Sequence, residues 1–149
     1  MCRASLQSLI VRRQLRVEDL GDLLDLPLVA VLATRRSSGD LLLSPVWHEW
    51  RDGGFDVVTG HADVKVKHLR RDPRANVVVY EHEPPYRGVE LRAQAQLLTD
   101  GALEAARRLA VRYLGAAAGA AYAARTADDT LIRLEPGVVR AWDFADETY

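Results

Sequence analysis

Residues 89–97, VELRAQAQL, alternate without a fault. Val89, Leu91, Ala93, Ala95 and Leu97 form one set and Glu90, Arg92, Gln94 and Gln96 the other, the period of two that puts each set on its own face of a β-strand. Strand character recurs in shorter pieces on both sides. Ala75 to Glu81 precedes this strand, and Thr130 to Leu134 and Val138 to Phe144 follow it, meeting at Glu135-Pro136-Gly137. Upstream, Leu28 to Ala33 and Leu41 to Trp50 flank the turn-forming Ser37, Ser38, Gly39 and Asp40, which predicts a hairpin. Asp52-Gly53-Gly54 then turns the chain into Phe55 to Thr59, so three antiparallel strands are expected to form a meander.

Helical spacing interrupts the strands. Leu20, Leu23 and Leu24 make a stripe that Pro27 stops. His61 to Arg71 lacks turn residues and is ended by Asp72-Pro73. Ala102 to Leu114 reads as a helix with Asp100 as its cap and Leu103, Ala106, Leu109, Ala110 and Tyr113 on one stripe. The Ala/Gly-rich run from Gly115 to Ala124 reads as a helix end or a connection, and residues 1–16 as a short amphipathic helix or an arm. About seven short strands and three helices, with tight turns in place of crossovers, predict a mainly β, antiparallel barrel.

A chain of 149 residues fits one domain, expected over 1–149, and its 48% hydrophobic and 28% charged residues are those of an ordinary globular protein. A net charge of −1 excludes a global field for nucleic acid or an anionic membrane. Cys2 is the only cysteine, so neither an intrachain disulfide nor a thiolate zinc site is available, and a cytoplasmic location is expected. Leu26 to Ala33 and Gly115 to Ala124, the longest apolar runs, fall short of a membrane span, and the N-terminus lacks the apolar core of a secretion signal. His48, His61, His68 and His82 have no metal-ligand spacing, and no Ser/His/Asp arrangement can be built, so no catalytic residue and no metal are assigned.

Charge is clustered at one place. Lys65, Lys67, Arg70, Arg71 and Arg74 face a single Asp72 within ten residues. Such a run is either a solvated helix face or an anion site, and its position favours the second. It follows a strand ending in Thr59-Gly60, so the free N–H groups of the helix start where the strand stops. Gly60 admits close approach of a ligand, Lys65 and Lys67 lie near the first turns, and His61 begins the segment. Elsewhere, Pro45 cannot donate to a ladder and marks an edge or irregular point. Arg87 and Arg92 are solvent or rim residues, or reach an acidic ligand.

HADVKVKHLRRDPRAN, residues 61–76, resembles the stretch after the third strand of the pyridoxamine 5′-phosphate oxidase-like split barrels, most of all their deazaflavin-dependent branch. The similarity runs over residues 26–98, from LPLVAVLAT through LLLSPVWHEW to PYRGVELRAQAQLL. It implies a split β-barrel of Greek-key-like antiparallel strands that binds coenzyme F420 or FMN. Thr59 and Lys65 would contact the phosphate, with Gly60 and His61 beside them, and Ser44, Pro45, Val46 and Trp47 would meet the ring. A homodimer with the cofactor at the subunit interface is implied, Trp142 covering the partner's cofactor. The implied activity is hydride transfer from reduced F420 to a small unsaturated or quinone-like acceptor. The alternatives are an FMN-dependent oxidase or reductase and a non-catalytic flavin or haem binder. Two departures matter. Asp63 and Val64 stand where many members carry an Arg, which shifts the expected phosphate grip toward Lys67, Arg71 or the backbone. Gly88 replaces the Gln of true pyridoxamine phosphate oxidases, which counts against vitamin B6 oxidation.

Overall fold

Strands Ala30–Arg35 (β1), Leu41–Val46 (β2), Glu49–Arg51 (β3), Gly54–Gly60 (β4), Arg74–Tyr80 (β5), Gly88–Leu98 (β6) and Asp129–Trp142 (β7) form one sheet in a computed structural model that describes residues 15–125 and 128–145. Its order is β2-β1-β5-β6-β7-β4-β3, and every pairing is antiparallel. Consecutive strands β2 and β3 therefore occupy opposite edges, joined only by Trp47-His48. Six strand spacings of about 4.8 Å would hold the edges of a flat sheet about 29 Å apart. Three Cα steps from Val46 to Glu49 span at most about 11 Å. The sheet must curl until its edges nearly meet, and the result is the split half-barrel.

This geometry overturns the expected meander. Leu41 to Trp50 is not one strand: β2 pairs with β1 and β3 with β4, because Trp47 and His48 leave the ladder to cross the open seam. The hairpin of β1 and β2 is as expected, with Pro45 on the edge strand opposite Val31. The two C-terminal strands are one. β7 keeps an unbroken partner in β6, and Glu135-Pro136-Gly137 is absorbed where the register shifts near Arg92 and Ala93, a bulge in place of a turn. The N-terminal stripe forms two short 3₁₀ turns, Val17–Leu20 and Leu23–Asp25, and residues 1–14 of the proposed arm lie outside the described residues.

Three helices flank the sheet: Val64–Arg71 (α1), Ala102–Leu114 (α2) and Ala116–Ala123 (α3). α1 starts at Val64, later than expected, because the Asp63 carboxylate accepts the Lys65 N–H and caps it. Gly101, in the left-handed region, takes the N-cap of α2 in place of Asp100, and Leu103 faces outward while Ala102, Ala105, Ala106, Leu109 and Ala110 are buried. The Ala/Gly-rich run is a packed helix: a Cβ on Gly119 would sit 2.6 Å from the Val111 backbone. Leu20, Leu23, Leu32, Phe55, Val77, Leu91, Ile132 and Leu134 share the core inside the curl. Among the described residues no helix is long and apolar enough to cross a membrane.

Candidate functional site

Helices α2 and α3 pack over the seam that Trp47-His48 crosses. Trp47 stacks on Tyr113 of α2, with ring centroids 5.0 Å apart and planes 6° from parallel, and Tyr122 of α3 tilts against it at 5.5 Å. The Tyr113 hydroxyl donates to the Leu28 carbonyl at 2.7 Å and accepts the His48 N–H at 3.0 Å, which pins the crossing to the segment that leads into β1. Behind Trp47, His48 is wholly buried, and neither ring nitrogen has a hydrogen-bond partner. Burial, with help from the Arg112 charge, lowers its pKa to about 4 and keeps the ring neutral.

Between the crossing and β4 lies a cleft of about 410 Å³. Val29, Pro45, Val46, Trp47, Val58, Ala106, Leu109 and Tyr122 make its apolar wall, and Thr59, Gly60, Lys65 and Asp129 its polar end. Lys65 is largely buried there. Its ammonium lies 3.0 Å from Asp63 Oδ1 and 3.1 Å from Oδ2, while Oδ1 also accepts the Lys65 N–H at 2.9 Å. Burial pushes the Asp63 carboxyl up, but the Lys65 N–H and ammonium, with a smaller contribution from the Thr59 side chain, outweigh it and hold the group below its ordinary value. One anion, from the chain itself, already sits in this cradle.

Six of the ten residues singled out from sequence line the cleft: Pro45, Val46, Trp47, Thr59, Gly60 and Lys65. Ser44 stands next to it on β2, opposite Leu32. His61 Nδ1 is 3.1 Å from the Thr130 hydroxyl, and its Nε2 is 3.4 Å from Arg70. Lys67 and Arg71 are exposed and are not among the lining residues; Arg71 donates to the Arg35 carbonyl. The cause is helical spacing: two residues turn a helix by about 200°, so Lys65 and Lys67 cannot share a face. Arg74 is held by Asp72 at 2.8 Å. The apparent basic cluster is thus dispersed, and Lys65 is its sole member in the cleft.

Sequence reasoning missed Tyr113, Tyr122 and Asp129. Tyr113 had been placed on a core stripe, Tyr122 lay in a run read as a connection, and Asp129 faces the site only because β7 pairs Asp129 with Gly60. Trp142 rests on its own chain: a Cβ on Gly88 would lie 2.1 Å from the Trp142 ring, whose other neighbour is the Arg140 guanidinium at 4.9 Å.

A family model described as pyridoxamine 5′-phosphate oxidase matches residues 17–143. Comparison with curated proteins by sequence gives no match. Among solved structures, a conserved hypothetical protein of Mycobacterium tuberculosis superposes with a TM-score of 0.75 at 22% identity, over 89% of this chain and 88% of the other. An F420 reductase gives 0.66 at 23% identity, over 79% and 93%. The heme storage protein HutZ of Vibrio cholerae gives 0.66 at 14% identity, over 87% and 97%. At these identities the likeness is one of fold.

Proposed function

This chain belongs to the pyridoxamine 5′-phosphate oxidase family, and from that premise we propose that its cleft binds F420 or FMN and that the protein is an oxidoreductase. The observation that carries the reading is the polarity of the cleft. One end is an apolar wall that includes Pro45, Val46 and Trp47, suited to a ring, and the other is a set of donors that already hold a carboxylate. A phosphate fits the donor set that Asp63 uses.

The bound cofactor supplies the hydride chemistry. Lys65 and Thr59 hold the phosphate, and Gly60 leaves room beside it, since nothing lies within 4 Å of where its Cβ would be. Trp47, kept in place by Tyr113 and Tyr122, orients the ring, while Val58, Ala106 and Leu109 keep water from that end of the cleft. We assign reduced F420 as donor and a small unsaturated or quinone-like molecule as acceptor, because residues 61–76 resemble the deazaflavin-dependent branch. Vitamin B6 oxidation is disfavoured, since Trp142 occupies the space a Gln at 88 would need. For a haem binder, the usual axial ligands are His, Cys, Met and Tyr. Among the described residues only Tyr122 of these types lines the cleft, and it packs on Trp47.

The same reading makes the protein a cytoplasmic homodimer. Leu41, Leu43 and Val138 are exposed on the sheet face that carries Arg92, an apolar area that a second copy would cover. A monomeric mass by light scattering at micromolar concentration would remove this part. The central test is titration with FMN and with F420, followed by intrinsic fluorescence, and then steady-state oxidation of reduced F420 with enone and quinone acceptors. Failure of both cofactors to bind would refute the assignment. Brisk pyridoxal phosphate formation with FMN would replace the activity with that of a B6 oxidase.

A further inference from the structure

Three donor groups converge at the polar end of the cleft, and one side chain of the protein itself engages them. The Lys65 ammonium and the Lys65 N–H in the first turn of α1 both donate to Asp63, with Thr59 beside it. Asp129 lines this end, and among the described residues Lys65 is the only cation lining it; Asp63 reaches the cleft through its contacts to Lys65. A phosphate entering the cleft would bring negative charge, about two units for the monoester of FMN and about one for the diester of F420, beside a carboxylate that holds the same donors. Like charges within a few ångströms repel strongly at partly buried sites.

We propose that Asp63 is a resident competitor for the cofactor's phosphate, so that this chain discriminates less between phosphorylated and phosphate-free rings than its cleft shape alone would dictate. The inference rests on the reading of the cleft as a flavin or deazaflavin site and adds the residue that sets its selectivity. Asp63 balances the Lys65 charge and must yield Lys65 when a phosphate binds. Ligands are thereby selected through the ring wall more than through the phosphate.

The experiment compares ring-matched pairs on wild type and Asp63→Asn: FMN with riboflavin, and F420 with its phosphate-free deazaflavin. Asn is as good an N-cap as Asp, so α1 keeps its start while the charge is lost. The preference for the phosphorylated member of a pair is expected to rise roughly tenfold or more in Asp63→Asn, the size of one charge-assisted contact. Affinity for the phosphate-free member should not change. An unchanged or smaller preference overturns the proposal while leaving the cofactor assignment standing. If none of the four ligands binds either protein, the assignment falls and this proposal with it. Circular dichroism checks the fold, and Asp63→Ser, also a neutral cap, replaces Asp63→Asn should that variant unfold.

Discussion

Arg87 and Lys65 are both cations held by carboxylates of their own chain, and they do opposite work. The Arg87 guanidinium donates to the Leu20 carbonyl at 2.8 Å, to Asp22 at 2.7 Å, and through Nε and Nη2 to Glu81. It ties the first 3₁₀ turn to the loop between β5 and β6, and its planar fork is committed to fixed partners. Lys65, which lines the cleft, has among the described residues one ion-pair partner, Asp63, two residues away. One contact links distant parts of the chain; the other is local, and it is the one we propose a ligand exchanges. An ion pair reads as structure when it joins elements far apart in sequence, and as a binding device when its partner is replaceable.

Removing each cation tests the contrast. Arg87→Ala leaves Glu81 with little solvent and frees the N-terminal turn, so unfolding in urea should show a loss of about 2 to 3 kcal/mol. Affinity for FMN or F420 in the variant that still folds should stay within about twofold, because the cleft lies apart from this lock. Equal loss of binding would mean the two regions are coupled and the comparison fails.

Lys65→Ala should do the reverse, weakening FMN or F420 binding by roughly tenfold, about 1.4 kcal/mol. Its urea midpoint should scarcely move, because the Asp63 carboxylate still caps α1 through the backbone N–H. A variant that binds both cofactors like wild type would show that α1 is not the phosphate anchor.

Acid separates the pairs more finely. Hydrogen bonds from Arg87 hold Glu81 below its ordinary 4.5. Its contribution is complete above that value and is lost as the pH falls through the lower folded value. Stability should therefore fall as the pH is lowered past 4.5, and the fall should be shallower in Arg87→Ala. The smallest effect is expected at Arg74, whose hydrogen bonds lower the Asp72 pKa to about 2 although Arg74 itself stands 62% exposed. Solvent screens such a pair, so Arg74→Ala should leave the unfolding midpoint unchanged at neutral pH.

Much of this was legible in the residues. The alternation of 89–97, the hairpin turn and the 102–114 helix depend on neighbours in sequence, and local stereochemistry specifies them. Thr59, Gly60 and Lys65 could be found because they lie at a strand-to-helix junction, where chain order and spatial order coincide. Sequence by itself determined a mainly β chain and placed Pro45 to Trp47 with Thr59, Gly60 and Lys65 among the residues of one cleft. Tertiary structure alone decided that β2 and β3 lie on opposite edges, that Tyr113 and Tyr122 brace Trp47, and that Asp129 faces Gly60. It also decided that five apparent cations reduce to one in the cleft. Strand order and helix rotation depend on packing between residues far apart in the chain, and a charge run shows how many cations there are but not which way each one points.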